Sequence, residues 1–130
     1  MRAAVLAGAV YFAIVFLVGF GLGTARVLLV APQLGATSAV LLETPLILAA
    51  SWAACGWTIR RFAVPRARGA RALMGAFAFA LLMCVEAGVS VVVFGRSLAE
   101  HLAGYRTLPG SIGLAAQVAF ALVPLALRRS

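Results

Sequence analysis

Four apolar runs, each long enough to cross a bilayer and joined by linkers of about a dozen residues, leave this chain few ways to fold. They cover approximately residues 3–23, 38–57, 72–94 and 110–127. At 1.5 Å per residue, a helix of roughly 18 to 23 residues crosses ~30 Å of hydrocarbon. The linkers have no room for a soluble domain. The expected fold is therefore an all-α integral membrane protein. Residues 1–130 form one four-helix transmembrane bundle, with a short interfacial helix in the outer loop.

Composition agrees. The chain is 65% hydrophobic and 11% charged, with a mean hydropathy of +1.11. That leaves too little polar material to build the surface of a soluble domain. A net charge of +8 would ordinarily suggest nucleic acid. Here the arginines cluster at helix ends, where anionic headgroups and topology account for them, so no nucleic-acid partner is expected. The bilayer is the primary partner, with a homo-oligomer or a larger membrane complex as the expected assembly. The opening Met1-Arg2 and its apolar run also suit a signal peptide. The run is too long for that and no clean A-x-A site follows, so a retained helix is expected.

Arginine placement gives an orientation. With the N-terminus inside, Arg2, Arg60, Arg61, Arg66, Arg68, Arg71, Arg128 and Arg129 are cytoplasmic, whereas Arg26, Arg96 and Arg106 lie outside. This positive-inside bias places both termini in the cytoplasm of a bacterium, beneath its inner membrane. Pro65 keeps the second and third helices apart.

Only three acidic residues exist: Glu43, Glu86 and Glu100. The first two fall inside spans, where a carboxylate costs several kcal/mol unless paired, protonated or wetted. Counting from the outer boundary, Glu43 lies about 8 Å down, Glu86 about 12 Å and Gln117 about 10 Å. Arg26 sits at the outer end of the first helix, with a stem long enough to reach inward. The four helices thus each contribute one polar group to a similar depth. On helical phase, Gly8, Phe12, Val15, Gly19 and Arg26 share a face, as do Glu43, Ile47, Ala50, Ala54 and Trp57. Glu86 aligns with Gly75, Phe79 and Ser90, and Gln117 with Gly110, Gly113, Ala121 and Pro124. Small residues mark the packed side, so all four polar groups are expected to face inward. Gly19 and Gly23 form a G-x-x-x-G pair suited to close helix approach.

Two carboxylates and one guanidinium leave this layer at minus one when all ionise. The expected resting state is one ion pair plus a protonated glutamate or a bound cation. Such a layer serves either to lock helix register or to carry a proton or cation, or it recognises a partner. Pro45 removes the helical donor to the Leu41 carbonyl, and Pro124 does the same to Phe120.

In the outer loop, Ser97 and Glu100 read as a capping box opening a short helix that Gly104 ends. Leu98, Leu102 and Tyr105 then form the face against the membrane surface, with Glu100 and the lone His101 on the polar side. Glu100, His101 and Tyr105 are the candidate outer-surface contacts. The Thr24–Thr37 loop either extends the first helix or dips back into the membrane. Cys55 and Cys84 fall at different depths and read as unpaired core residues. Trp57 fits the aromatic belt near Arg60.

Chemistry motifs are missing. The chain has no G-x-S-x-G, no phosphate loop, no His cluster and no metal-ligand spacing, so neither an enzyme nor a metal or cofactor is expected. The run from Gly19 to Leu29 followed by Pro32 and Gly35 resembles the opening of fluoride-channel proteins. That family's second-helix Asn and Thr/Phe-rich third-helix motif have no counterpart here, so no residue roles carry over. Small multidrug-resistance proteins share the size and helix count, but their glutamate lies in the first helix, which here has none. The leading expectation is an accessory or structural membrane subunit. The alternative is a small proton- or cation-coupled transporter or channel acting as an oligomer.

Overall fold

A computed structural model of the chain describes residues 2–127. Arg128 and Arg129, which enter the orientation argument, lie outside the described residues. The elements in order are α1 (Arg2–Ala25), a π-helical segment (Arg26–Val30), α2 (Ala31–Leu34), α3 (Ala36–Phe62), α4 (Arg68–Val92), α5 (Leu98–Ala103), a 3-10 turn (Gly104–Arg106) and α6 (Leu108–Ala126). No strand occurs among the described residues. Four helical stretches are long and apolar enough to cross a membrane: Arg2–Val30, Ala36–Phe62, Arg68–Val92 and Leu108–Ala126. The helices therefore run past the apolar segments that predict them. The Thr24–Thr37 loop resolves as an extension of α1, helical until Gly35 breaks it at φ +87°.

The four long helices form a ring in the order α1, α3, α6, α4, each packed against two neighbours. Exposed Leu6, Leu17, Leu42, Leu46 and Leu122 cover the outside, as a lipid-facing surface requires. Trp57 belongs to that surface at 49% exposure, off the inward face on which helical phase put it. The inward face of α3 runs instead through Val40, Ser51, Ala54, Cys55 and Thr58. Cys84 is exposed too, so only Cys55 is a core residue.

The two ends of the bundle are packed differently. At the end carrying Arg71, Ala4, Ala7, Tyr11, Cys55, Met74, Ala78, Phe120 and Val123 form a closed core. Two glycines allow it. A Cβ on Gly8 would stand 2.8 Å from the Met74 carbonyl oxygen, and one on Gly75 would stand 2.0 Å from that of Ala121. These are the close backbone crossings, in place of the expected Gly19/Gly23 pair. A Cβ on Gly19 would meet only a side-chain methyl at 3.5 Å, an ordinary contact.

Arg71 is buried, at 2% exposure, rather than solvated in a loop. Its Nη1 donates to the Pro124 carbonyl in the last turn of α6 (3.3 Å) and its Nε to the Pro65 carbonyl (3.1 Å). Helix C-termini present carbonyls without intrahelical donors and a partial negative charge, and a guanidinium satisfies both demands. Nearby, α3 ends in a Schellman arrangement around Ala63 at φ 51°, with Val64 N–H donating to the Ile59 carbonyl.

Candidate functional site

Toward the α5 end the ring opens. A cavity of about 930 Å³ lies between all four long helices and the segment carrying α5. Its floor is Ser51 and Phe120, and its rim includes Leu28, Phe94, Arg96 and His101. Arg26, Glu43, Glu86 and Gln117 all line it, so the four residues assigned to one polar layer do share one space.

They are joined as two pairs. Arg26 Nε lies 2.5 Å from Glu43 Oε2, an ion pair between the α1 extension and α3. Arg26 opens the π-helical segment, and Glu43 comes two residues before the Pro45 interruption of α3. On the opposite side, Gln117 Nε2 donates to both oxygens of Glu86, at 2.6 and 2.7 Å, joining α6 to α4. One glutamate is thus neutralised by a cation, whereas the other is held by a neutral amide. Helical phase brings these residues inward, but no phase argument could assign the partners.

One turn beyond Glu86, Ser90 is buried in the cavity wall, and its hydroxyl has no hydrogen-bond partner. Gln117 Oε1 is likewise buried without a partner. Such atoms are uncommon in folded proteins, and each costs about 1–3 kcal/mol.

The rim is built by α5. Ser97 Oγ accepts from the Glu100 N–H (3.1 Å), and Glu100 Oε1 accepts from the Ser97 N–H (3.1 Å), the expected capping box. Those bonds hold the Glu100 carboxyl below its ordinary value, with the Arg96 charge assisting. Glu100 is exposed and outside the cavity. His101 and Tyr105 are arranged differently from the expected amphipathic division. The helix tightens into a 3-10 turn after Ala103, and the Tyr105 hydroxyl lies 3.2 Å from His101 Nε2 with the rings edge to face. Both line the cavity. Leu98 and Leu102 remain on the outside, more than half exposed. Burial and the facing Glu86 carboxylate push the Tyr105 phenol above its ordinary value, so it stays a protonated donor.

At the closed end, the Tyr11 hydroxyl donates to the Phe120 carbonyl (2.7 Å), and the two rings stack at 4.4 Å. This fully buried tyrosine packs beneath the cavity floor, against Phe120, where helical phase on α1 points to Phe12 instead. The signal for it was present: Tyr11 stands three residues after Gly8 and four before Val15, on the same stripe.

Among the described residues, no three His, Cys, Asp or Glu side chains gather as a metal site. No protein family, curated protein or solved structure matches the chain, so the short likeness to fluoride-channel proteins gains no support. The site has to be read from its own chemistry.

Proposed function

We propose that this is a small multi-pass protein of a bacterial inner membrane, with both ends cytoplasmic, that takes a ligand into a cavity open to the outer side. It acts as a proton- or cation-coupled transporter or binding protein, working as an oligomer. The observation that carries this reading is the cavity itself. A polar layer serving only to lock register gains most when packed shut, because dry neighbours strengthen its bonds. Here the layer lines a space within the roughly 300–1,000 Å³ typical of small-molecule sites. The opposite end is closed by Tyr11, Met74, Phe120 and Arg71. An access path on one side only is the form of a carrier in an outward-facing state.

Cysteine labelling tests this. In a background with Cys55 and Cys84 replaced by Ala, Gly113→Cys lines the cavity where an added side chain meets open space. It should react in intact cells with a membrane-impermeant maleimide, while Ala78→Cys in the closed half should not. Labelling of Gly113→Cys only from the cytoplasmic side would reverse the orientation. Protection from both sides would remove the cavity as a ligand site.

The accessory-subunit reading has one observation in its favour. Each polar pair ties two neighbouring helices of the ring, α1 to α3 and α4 to α6, as a register lock does. Extraction in mild detergent separates the two readings. A discrete homo-oligomer supports the carrier, and stoichiometric co-purification with a larger membrane complex supports the subunit.

A further inference from the structure

The wall around Glu86 offers acceptors to which no arginine of the cavity is bonded. The arginines lining the cavity are engaged elsewhere, Arg26 with Glu43 and Arg96 with the Glu100 carbonyl. Gln117 Nε2 donates to both oxygens of Glu86, and the Tyr105 hydroxyl and the His101 ring stand close enough to act on the same carboxylate. Ser90 follows Glu86 by four residues on α4 and so shares its face. Its hydroxyl is in a residue only 6% exposed, belongs to the cavity wall and is unpartnered. Gln117 Oε1, on the same amide that bonds Glu86, is a second buried acceptor without a donor. A carboxylate, an amide oxygen and a hydroxyl oxygen therefore belong to one stretch of cavity wall, with nothing donating to the last two. The remaining wall is apolar and aromatic, through Phe16, Ile47, Leu82 and Phe94.

We infer that the cavity binds a primary organic ammonium ion, with its charged group at Glu86, Ser90 and Gln117 and its apolar body against Phe16, Ile47, Leu82 and Phe94. The inference rests on the reading of the cavity as a ligand site. A primary ammonium carries three N–H donors and one positive charge, which matches three acceptors of which one is a carboxylate. A quaternary ammonium satisfies the charge and leaves Ser90 Oγ and Gln117 Oε1 unpaired. An organic anion meets a carboxylate there. A bare metal ion finds a single carboxylate there. The aromatic rings add attraction for a cation held near their faces.

Binding to the full chain in lipid nanodiscs tests this, with 2-phenylethylamine as the probe and empty nanodiscs as the blank. The comparison ligands are 2-phenylethanol, trimethyl(2-phenylethyl)ammonium and 3-phenylpropanoate. Calorimetry should show saturable binding of the amine, at least tenfold tighter than of the other three. Glu86→Gln should weaken it tenfold or more and Ser90→Ala severalfold, while the lipid-facing Cys84→Ala leaves it unchanged. If the alcohol binds as tightly as the amine and Glu86→Gln changes nothing, the ammonium inference is overturned and the ligand cavity survives. Equal binding of the trimethylated ion overturns the role of Ser90 and Gln117 as acceptors, and with it the primary-amine class. If none of the four binds to folded protein, the inference and the ligand-site reading fall together. Should Glu86→Gln not fold, Ser90→Ala and the ligand series on the unaltered protein decide the matter alone.

Discussion

Tyr11 replaces a hydrogen bond that Pro124 removes. A proline at position 124 has no N–H to give the carbonyl four residues earlier, and that carbonyl is Phe120. The Tyr11 hydroxyl, arriving from α1, donates to it at 2.7 Å. Backbone groups freed by proline in membrane helices are satisfied by neighbours in this way. The closed end of the bundle is thus pinned by one side-chain bond between helices that sit diagonally across the ring.

A double-mutant cycle makes this measurable. Tyr11→Phe should lower stability by about 1–3 kcal/mol, the cost of a buried acceptor left without a donor. Pro124→Ala restores a backbone N–H for Phe120, so Tyr11→Phe should cost less in that background. Thermal midpoints of the four proteins in detergent give the coupling. Purely additive effects would show that Pro124 and Tyr11 do not share the Phe120 carbonyl.

The two glutamates that line the cavity should separate in mutagenesis. Glu43→Gln strands Arg26 in a partly buried position and should cost roughly 1–3 kcal/mol, between the values for exposed and buried ion pairs. Glu86→Gln keeps an amide partner for Gln117 and should leave thermal stability nearly unchanged. Equal loss of stability in the two variants would make both glutamates structural and would favour the register-lock reading.

Glycine replacements distinguish the real helix crossings from the apparent one. Gly75→Ala places a methyl 2.0 Å from the Ala121 carbonyl oxygen and should destabilise by about 1–3 kcal/mol, as overpacking does. Gly19→Ala, within the G-x-x-x-G pair, meets an ordinary 3.5 Å contact and should be tolerated. Detergent unfolding temperatures that rank the two variants the other way round would refute the packing described for α4 and α6.

The rim helix should respond to acid. The Glu100 carboxyl titrates below its ordinary value because the Ser97 N–H and hydroxyl bond it. A carboxyl lowered on folding contributes order that is complete above its ordinary range and lost as pH falls through its lowered value. Amide exchange at Ser97 and Glu100 should therefore be slow near neutrality and accelerate in acid beyond the intrinsic pH dependence of exchange. Ser97→Ala removes the hydroxyl but keeps the backbone N–H bond to the carboxylate, and should reduce that difference.

Much of the fold was legible in one dimension. Four apolar runs with short linkers lead to four long helices, and Ser97 with Glu100 leads to the capping box that the structure contains. The inward placement of Arg26, Glu43, Glu86 and Gln117 also followed from helical phase, because a polar group in hydrocarbon has to face protein or water. Phase is a weak guide to which small residues make contact. In a chain this rich in Ala and Gly, every face carries some: phase put Gly8, Gly19 and Gly75 alike on packed faces, and the crossings formed at Gly8 and Gly75 rather than at the G-x-x-x-G pair of Gly19 and Gly23.

What the sequence by itself determined is whatever depends on the chain's transfer from water to lipid and on neighbours within a turn: helix number, span and local caps. Only the tertiary structure decided the order of helices in the ring, and with it the partners. Arg26 took Glu43, Gln117 took Glu86, Tyr11 took the carbonyl freed by Pro124, and Arg71 left the loop to cap α6. These choices depend on which helix stands beside which, a matter of packing between residues up to 109 positions apart. The cavity arises the same way. The ring closes where glycines let backbones touch, and it stays open where Arg26, Glu43, Glu86 and Gln117 hold the helices at side-chain distance.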